Sequence, residues 1–248
     1  MTYCVALKLN QGLVLLSDTR TNAGVDNISR FRKMYTWEIP GERVIATMSS
    51  GNLSITQGVI NRLSAAIKRS EAGEDVETIL NAPTMFRVAQ IVGDTMLAMQ
   101  DRHRQNLIEQ GAGADALILV SGQISTGDHR VFMVYSAGNF IEATDDTPFL
   151  QIGEHKYGKP ILDRVITPET PIDRALKAVF LSMDSTIRSN LSVGMPLDLA
   201  VIPVGACRFS TLRRIEEQDA DWQAISAGWA DGIRAAFEHL PEVNLSDT

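Results

Sequence analysis

Residues 1–20 read MTYCVALKLNQGLVLLSDTR, and the fold is decided there. Two apolar runs, residues 2–9 and 12–18, are separated only by Asn10 and Gln11, which predicts a pair of strands buried on both faces. Asp18 closes the second run. A carboxylate at the end of such a pair is costly without a partner, so a cation from elsewhere in the chain is expected to meet it. Lys33, which opens the next strand-like run after a polar loop over residues 19–32, is the candidate.

Outward from that stretch, residues 33–38 and 43–48 read as two more strands. Ile55, Val59, Ile60, Leu63 and Ile67 then recur at helical spacing over residues 54–69, and a second helical region spans 75–109 with Pro83 inside it. Strands return at 116–120 and 131–136, around a turn at 125–128, with short strand-like pieces to about residue 152. Helix is expected over 155–166 and again after Thr170, read as a cap with Pro171 at the first helical position and Asp173 closing a capping box. An apolar strand over 197–204, its mate over 211–217 and an amphipathic helix over 221–239 complete the chain. Strands and helices in such segregated blocks predict an α+β fold in one domain over residues 1–248, with two largely antiparallel sheets face to face and helices outside them.

Composition narrows the function. The net charge is −7 and the Lys and Arg residues are scattered, which argues against a general nucleic-acid binder. Cys4 and Cys207 make neither a zinc nor a redox spacing and are expected to be core thiols in a cytoplasmic protein. No run approaches about 18 consecutive apolar residues, so no membrane-spanning helix is predicted. The histidines, His103, His129, His155 and His239, lack metal-ligand spacing and are expected at the surface. No metal or organic cofactor is required.

Thr2 supplies the chemistry. Removal of Met1, which occurs when residue 2 is small, gives Thr2 a free α-amine beside its own hydroxyl. Such an amine titrates near ~7.7 to 8.0 and can take the hydroxyl proton at neutral pH. A threonine paired with its own amine is a recognised way of activating a weak nucleophile. An Asp18–Lys33 ion pair beside it satisfies both buried charges and holds the amine neutral. Cys4 has no such amine and belongs along a buried strand, where cysteine behaves as a small hydrophobe.

Thr2 at the head of a strand, Ser17-Asp18-Thr19-Arg20 after a second, Lys33 at the start of a third, and Ala46-Thr47-Met48-Ser49-Ser50-Gly51 leading into a helix resemble the proteasome β-subunit family. The likeness is strongest to its bacterial Anbu, or ancestral β-subunit, branch and extends over nearly the whole chain. It implies the four-layer αββα sandwich of N-terminal nucleophile hydrolases with an added C-terminal helix. It also implies a threonine peptidase acting through an acyl-enzyme on Thr2, peptide or unfolded-protein substrates, and self-association into a ring-like or open-helical oligomer, with any ATPase partner undetermined. In this likeness Lys33 lowers the amine's pKa, Asp18 orients Lys33, and Ser50 or Gly51 supplies the oxyanion N–H.

The match has departures. Ser192 keeps a serine of the family's Asp-x-x-Ser-Gly-Gly region, but Ser189 stands at its usual aspartate, Glu154 at a usual serine and Ser50 at a usual glycine. They permit one alternative, an assembly subunit without useful chemistry, and the fold and nucleophile logic permit another, an amidohydrolase of small molecules. Trp222, Trp229 and Phe237, on one stripe of the last helix, are assigned to a contact between subunits.

Overall fold

The computed structural model describes residues 2–22, 28–125 and 127–243. Strands β1 (Tyr3–Leu9) and β2 (Gly12–Asp18) pair antiparallel as expected, with Cys4 opposite Ser17 and Leu9 opposite Gly12. Every residue of β2 is buried, because the hairpin lies inside a five-stranded antiparallel sheet. Its other members are β10 (Phe149–Gly153), β11 (Leu197–Pro203) and β12 (Thr211–Ile215), in the order β10-β1-β2-β11-β12. A second five-stranded sheet runs in chain order through β5 (Met34–Ile39), β6 (Arg43–Gly51), β7 (Ala116–Ile124), β8 (Arg130–Val134) and β9 (Phe140–Glu142).

The expected polar loop over residues 19–32 is partly a sheet of its own. Strands β3 (Arg20–Asn22) and β4 (Ile28–Arg30) pair with Thr21 opposite Ser29. Each is only three residues long, and the single apolar residue of the two, Ile28, is exposed, so no hydrophobic alternation announces them.

The helices follow their periodicity, with corrected ends. Helix α1 (Leu53–Glu71) starts where the Asn52 side chain accepts from the N–H groups of Ser54 and Ile55. Helix α2 (Met85–Glu109) is capped by Thr84 and so begins ten residues later than residue 75, where helix was expected. Residues between them are held in turns instead, as where the Asn81 side chain takes the Thr78 N–H at 2.6 Å and donates to Val76 O at 2.9 Å. After α3 (Lys159–Val165), helix α4 (Ile172–Ser189) is not capped by Thr170. The Thr170 hydroxyl accepts instead from Thr167 N–H, and Gln11 accepts from the Ile172 N–H. Helix α5 (Ala220–Glu238) is capped by Asp219.

Alternation along β1 sorts the core. Tyr3, Val5 and Leu7 pack with Leu162, Val179, Met183 and Trp222 from α3, α4 and α5, whereas Cys4 and Ala6 face Val44, Met48 and Leu119 of the second sheet. A third cluster joins α1 and α2, through Ile55, Val59, Val88 and Met96, to Ile45, Val120 and Phe132. The described residues thus form a mixed fold of five helices and three antiparallel sheets.

Packing overturns the expected interface or surface placing of two side chains. Trp222 is only 7% exposed and meets the Phe180 ring edge-on at 5.7 Å, so it belongs to the subunit's own core. His129 is buried rather than superficial, its Nε2 lying 2.7 Å from Leu9 O. Cys4 and Cys207 are buried free thiols. Among the described residues, no helix is long and apolar enough to cross a membrane.

Candidate active site

The strand pair delivers its terminal residues to one place. Asp18 ends β2, and the Tyr3 N–H at the start of β1 donates to its Oδ1 at 3.1 Å. Lys33, immediately before β5, sets its ammonium 2.6 Å from the same oxygen and 2.6 Å from the carbonyl of Arg20. Both side chains are almost wholly removed from solvent, at 0% and 4% exposure. The orphan carboxylate of the sequence therefore has its cation.

A buried pair of this kind persists only when further hydrogen bonds satisfy it. The second oxygen of Asp18 accepts from Gly194 N–H at 3.3 Å. Burial pushes the Asp18 carboxyl upward, against the pull of the Lys33 ammonium and of the Tyr3 and Gly194 N–H groups. Three donors aimed at one carboxylate identify the ionised form as the one that this geometry serves. Arg20 secures the loop that carries Gly194, its guanidinium donating to the carbonyls of Leu191 at 3.0 Å and Val193 at 3.4 Å. Thr19 adds a bond to Pro196 O at 2.7 Å.

Thr2 is buried at 6% exposure and borders two cavities. The larger, of about 730 Å³, is lined by Thr2, Lys33, Ser49, Ser50 and Gly51 together with Thr21, Phe31 and Leu53. The smaller, of about 410 Å³, opens on the β10 side of Thr2 and shares Ser50 and Gly51 with the first. Two glycines make the close approach possible. Gly51 has φ +98°, with Asp115 O 2.2 Å from where a Cβ would lie, and Gly153 has φ +83°, with Thr2 O only 1.9 Å from its own Cβ position.

The geometry thus gathers Thr2, Lys33, Ser50 and Gly51 around one cavity, with Asp18 behind Lys33. Ser192 stands in the loop bound by Arg20, its N–H on the Asn190 side chain at 2.9 Å, and lines neither cavity. Ser189 is exposed at the end of α4 and lines neither. Reading the sequence missed Gly194 as a donor to Asp18, although the region that holds it, with Ser189 and Ser192, was singled out by the family likeness. The expected removal of Met1 falls outside the described residues. Among those residues, no group of three or more His, Cys, Asp or Glu could hold a metal ion.

Similarity to known proteins bears on this arrangement. No protein-family model and no curated protein sequence matches the chain. Among solved structures, it is 41% identical to Anbu (ancestral β-subunit) from Yersinia bercovieri, covering 98% of this chain and 99% of that one, with a TM-score of 0.90. Anbu from Hyphomicrobium sp. strain MC1 is 43% identical over 98% of this chain and 100% of its own, with a TM-score of 0.88. A helical assembly of the Anbu complex from Pseudomonas aeruginosa supplies a chain 42% identical over 99% of this chain and 100% of its own, with a TM-score of 0.92. Identity at this level over essentially the full length of both partners, on the fold described above, means that the chain belongs to the Anbu family of proteasome-like ancestral β-subunits.

Proposed function

We propose that this chain is a threonine peptidase, cleaving peptide bonds through an ester on the Thr2 hydroxyl once Thr2 carries a free α-amine. The observation that carries the reading is the buried Asp18–Lys33 pair at 2.6 Å, with Lys33 lining the same cavity as Thr2. In this mechanism the amine takes the hydroxyl proton as the oxygen attacks the peptide carbonyl. The Lys33 charge, held in place by Asp18, keeps that amine neutral and steadies the attacking oxygen. A backbone N–H of Ser50 or Gly51 receives the developing oxyanion, a role that fits their position beside Thr2 in both cavities. The proton then passes to the leaving amine, and a water activated by the α-amine hydrolyses the ester.

The three buried clusters support a four-layer order of helices, sheet, sheet and helices. Self-association into a ring-like or open-helical particle is supported by the helical assembly of the Pseudomonas relative and by the exposed apolar residues of α5, Ile233 and Phe237. Buried free thiols fit a reducing cytoplasm, where peptides or unfolded chains are the substrates.

Intact mass and a β-lactone probe test the reading together. The purified protein is expected to lack Met1 and to form one adduct, mapped to Thr2 by peptide mass and absent in Thr2→Ala. Retention of Met1, or an adduct elsewhere, would overturn it.

A further inference from the structure

Thr2 stands between two cavities of unlike chemistry. Among the described residues, the larger is lined by hydroxyls and the engaged Lys33 and by no acidic residue. The smaller is lined by the apolar residues Leu117, Met133 and Ile152 and by two acidic residues, Glu154 and Asp115.

The sheet register fixes where Glu154 lies. Tyr3 pairs with Gly153, where β10 ends, and the Glu154 N–H donates to Thr2 O at 2.7 Å, so Glu154 sits against Thr2 in the lining of the smaller cavity. The Glu154 side chain is 17% exposed, and the Lys156 ammonium, its ion partner, is 3.8 Å away on a side chain 68% exposed. A pair so long and so solvated leaves the carboxylate available to a better placed cation.

Resting on the peptidase reading, we propose that Glu154 is a specificity-determining residue. It makes the smaller cavity a subsite for a Lys or Arg side chain adjoining the scissile bond. The aliphatic stem of such a side chain lies on Leu117, Met133 and Ile152, and its cation meets the Glu154 carboxylate in a charge-assisted hydrogen bond. A neutral apolar side chain of similar length keeps the first contact and loses the second. An acidic one meets Glu154 with like charge.

Internally quenched peptides with Lys, Arg, Met or Glu on either side of the cleaved bond test this, with β-lactone labelling of Thr2 followed on the same samples. Wild-type protein is expected to favour Lys and Arg over Met at one flanking position by on the order of tenfold in kcat/KM. Glu154→Gln is expected to equalise Lys and Met, and Glu154→Lys to favour Glu, with unfolding midpoints showing that both variants are folded. Equal cleavage of the Lys and Met peptides by wild type, or a basic preference that survives Glu154→Gln, would overturn the proposal. Labelling of Thr2 without cleavage of any peptide would overturn it and leave the nucleophile assignment standing. Absence of labelling would overturn both.

Discussion

Asp18 and Lys33 were legible from the sequence together, since each is ordinary alone but a carboxylate ending one apolar strand and a cation opening the next strand-like run can satisfy one another. A carboxylate at the end of a wholly apolar strand demands a cation, and the pair meets at 2.6 Å. His129 was misjudged, since its neighbours Asp128 and Arg130 look like a solvated turn, whereas the contact that buries it comes from Leu9, far away in sequence. Burial lowers the pKa of His129, with Lys8 acting in the same direction and Asp128 and the bond to Leu9 opposing. A base whose folded pKa is depressed contributes stability that is present above the unfolded value of about 6.5 and lost as pH falls through the lower folded value. The wild-type unfolding midpoint should therefore drop more between pH 7 and pH 5 than that of His129→Gln. Parallel pH curves for the two proteins would show that this histidine does not titrate with folding.

At the scale of elements, buried faces were readable and polar connections were not. Ile55, Val59 and Leu63 announced α1 because a helix facing a sheet needs that spacing. Strands β3 and β4 and the turns around Thr78 are built from backbone pairing and Asn or Thr side chains, which leave no apolar period. The end of β10 illustrates a constraint finer than either. Gly153 has φ +83° and no room for a Cβ beside Thr2 O, so Gly153→Ala must displace Thr2 or twist β10. The expected loss is about 1–3 kcal/mol of stability, together with slower labelling of Thr2. Chemical denaturation and a labelling time course check both, and an unchanged labelling rate would mean that the strand yields without moving the nucleophile.

For the whole molecule, α5 divides into two parts. Trp222 packs on Phe180 inside the subunit, Trp229 is partly covered, and Ile233 and Phe237 stand 49% and 71% exposed. The aromatic stripe was legible in the sequence, but its partition between core and surface depends on how far α4 reaches along α5, which periodicity does not encode. Ile233→Ser with Phe237→Ser should therefore lower the particle mass seen by light scattering without changing the unfolding midpoint. Trp222→Ala should instead lower the midpoint, by about 3 kcal/mol of stability. A particle of unchanged mass in the double variant would place the subunit contact elsewhere.

If Asp18 and Lys33 serve Thr2 as one unit, the rate of β-lactone ester formation at Thr2 depends on both of them together. The rate is compared in wild type, Lys33→Ala, Asp18→Asn and the double variant, with unfolding midpoints confirming that each is folded under the assay conditions. Each single substitution is expected to slow labelling by roughly 100-fold or more, and the double variant should be no slower than the worse single one, because groups acting as a unit are not additive. Labelling of folded Lys33→Ala at the wild-type rate, or losses that simply add, would contradict the account and leave the buried pair as a structural feature alone.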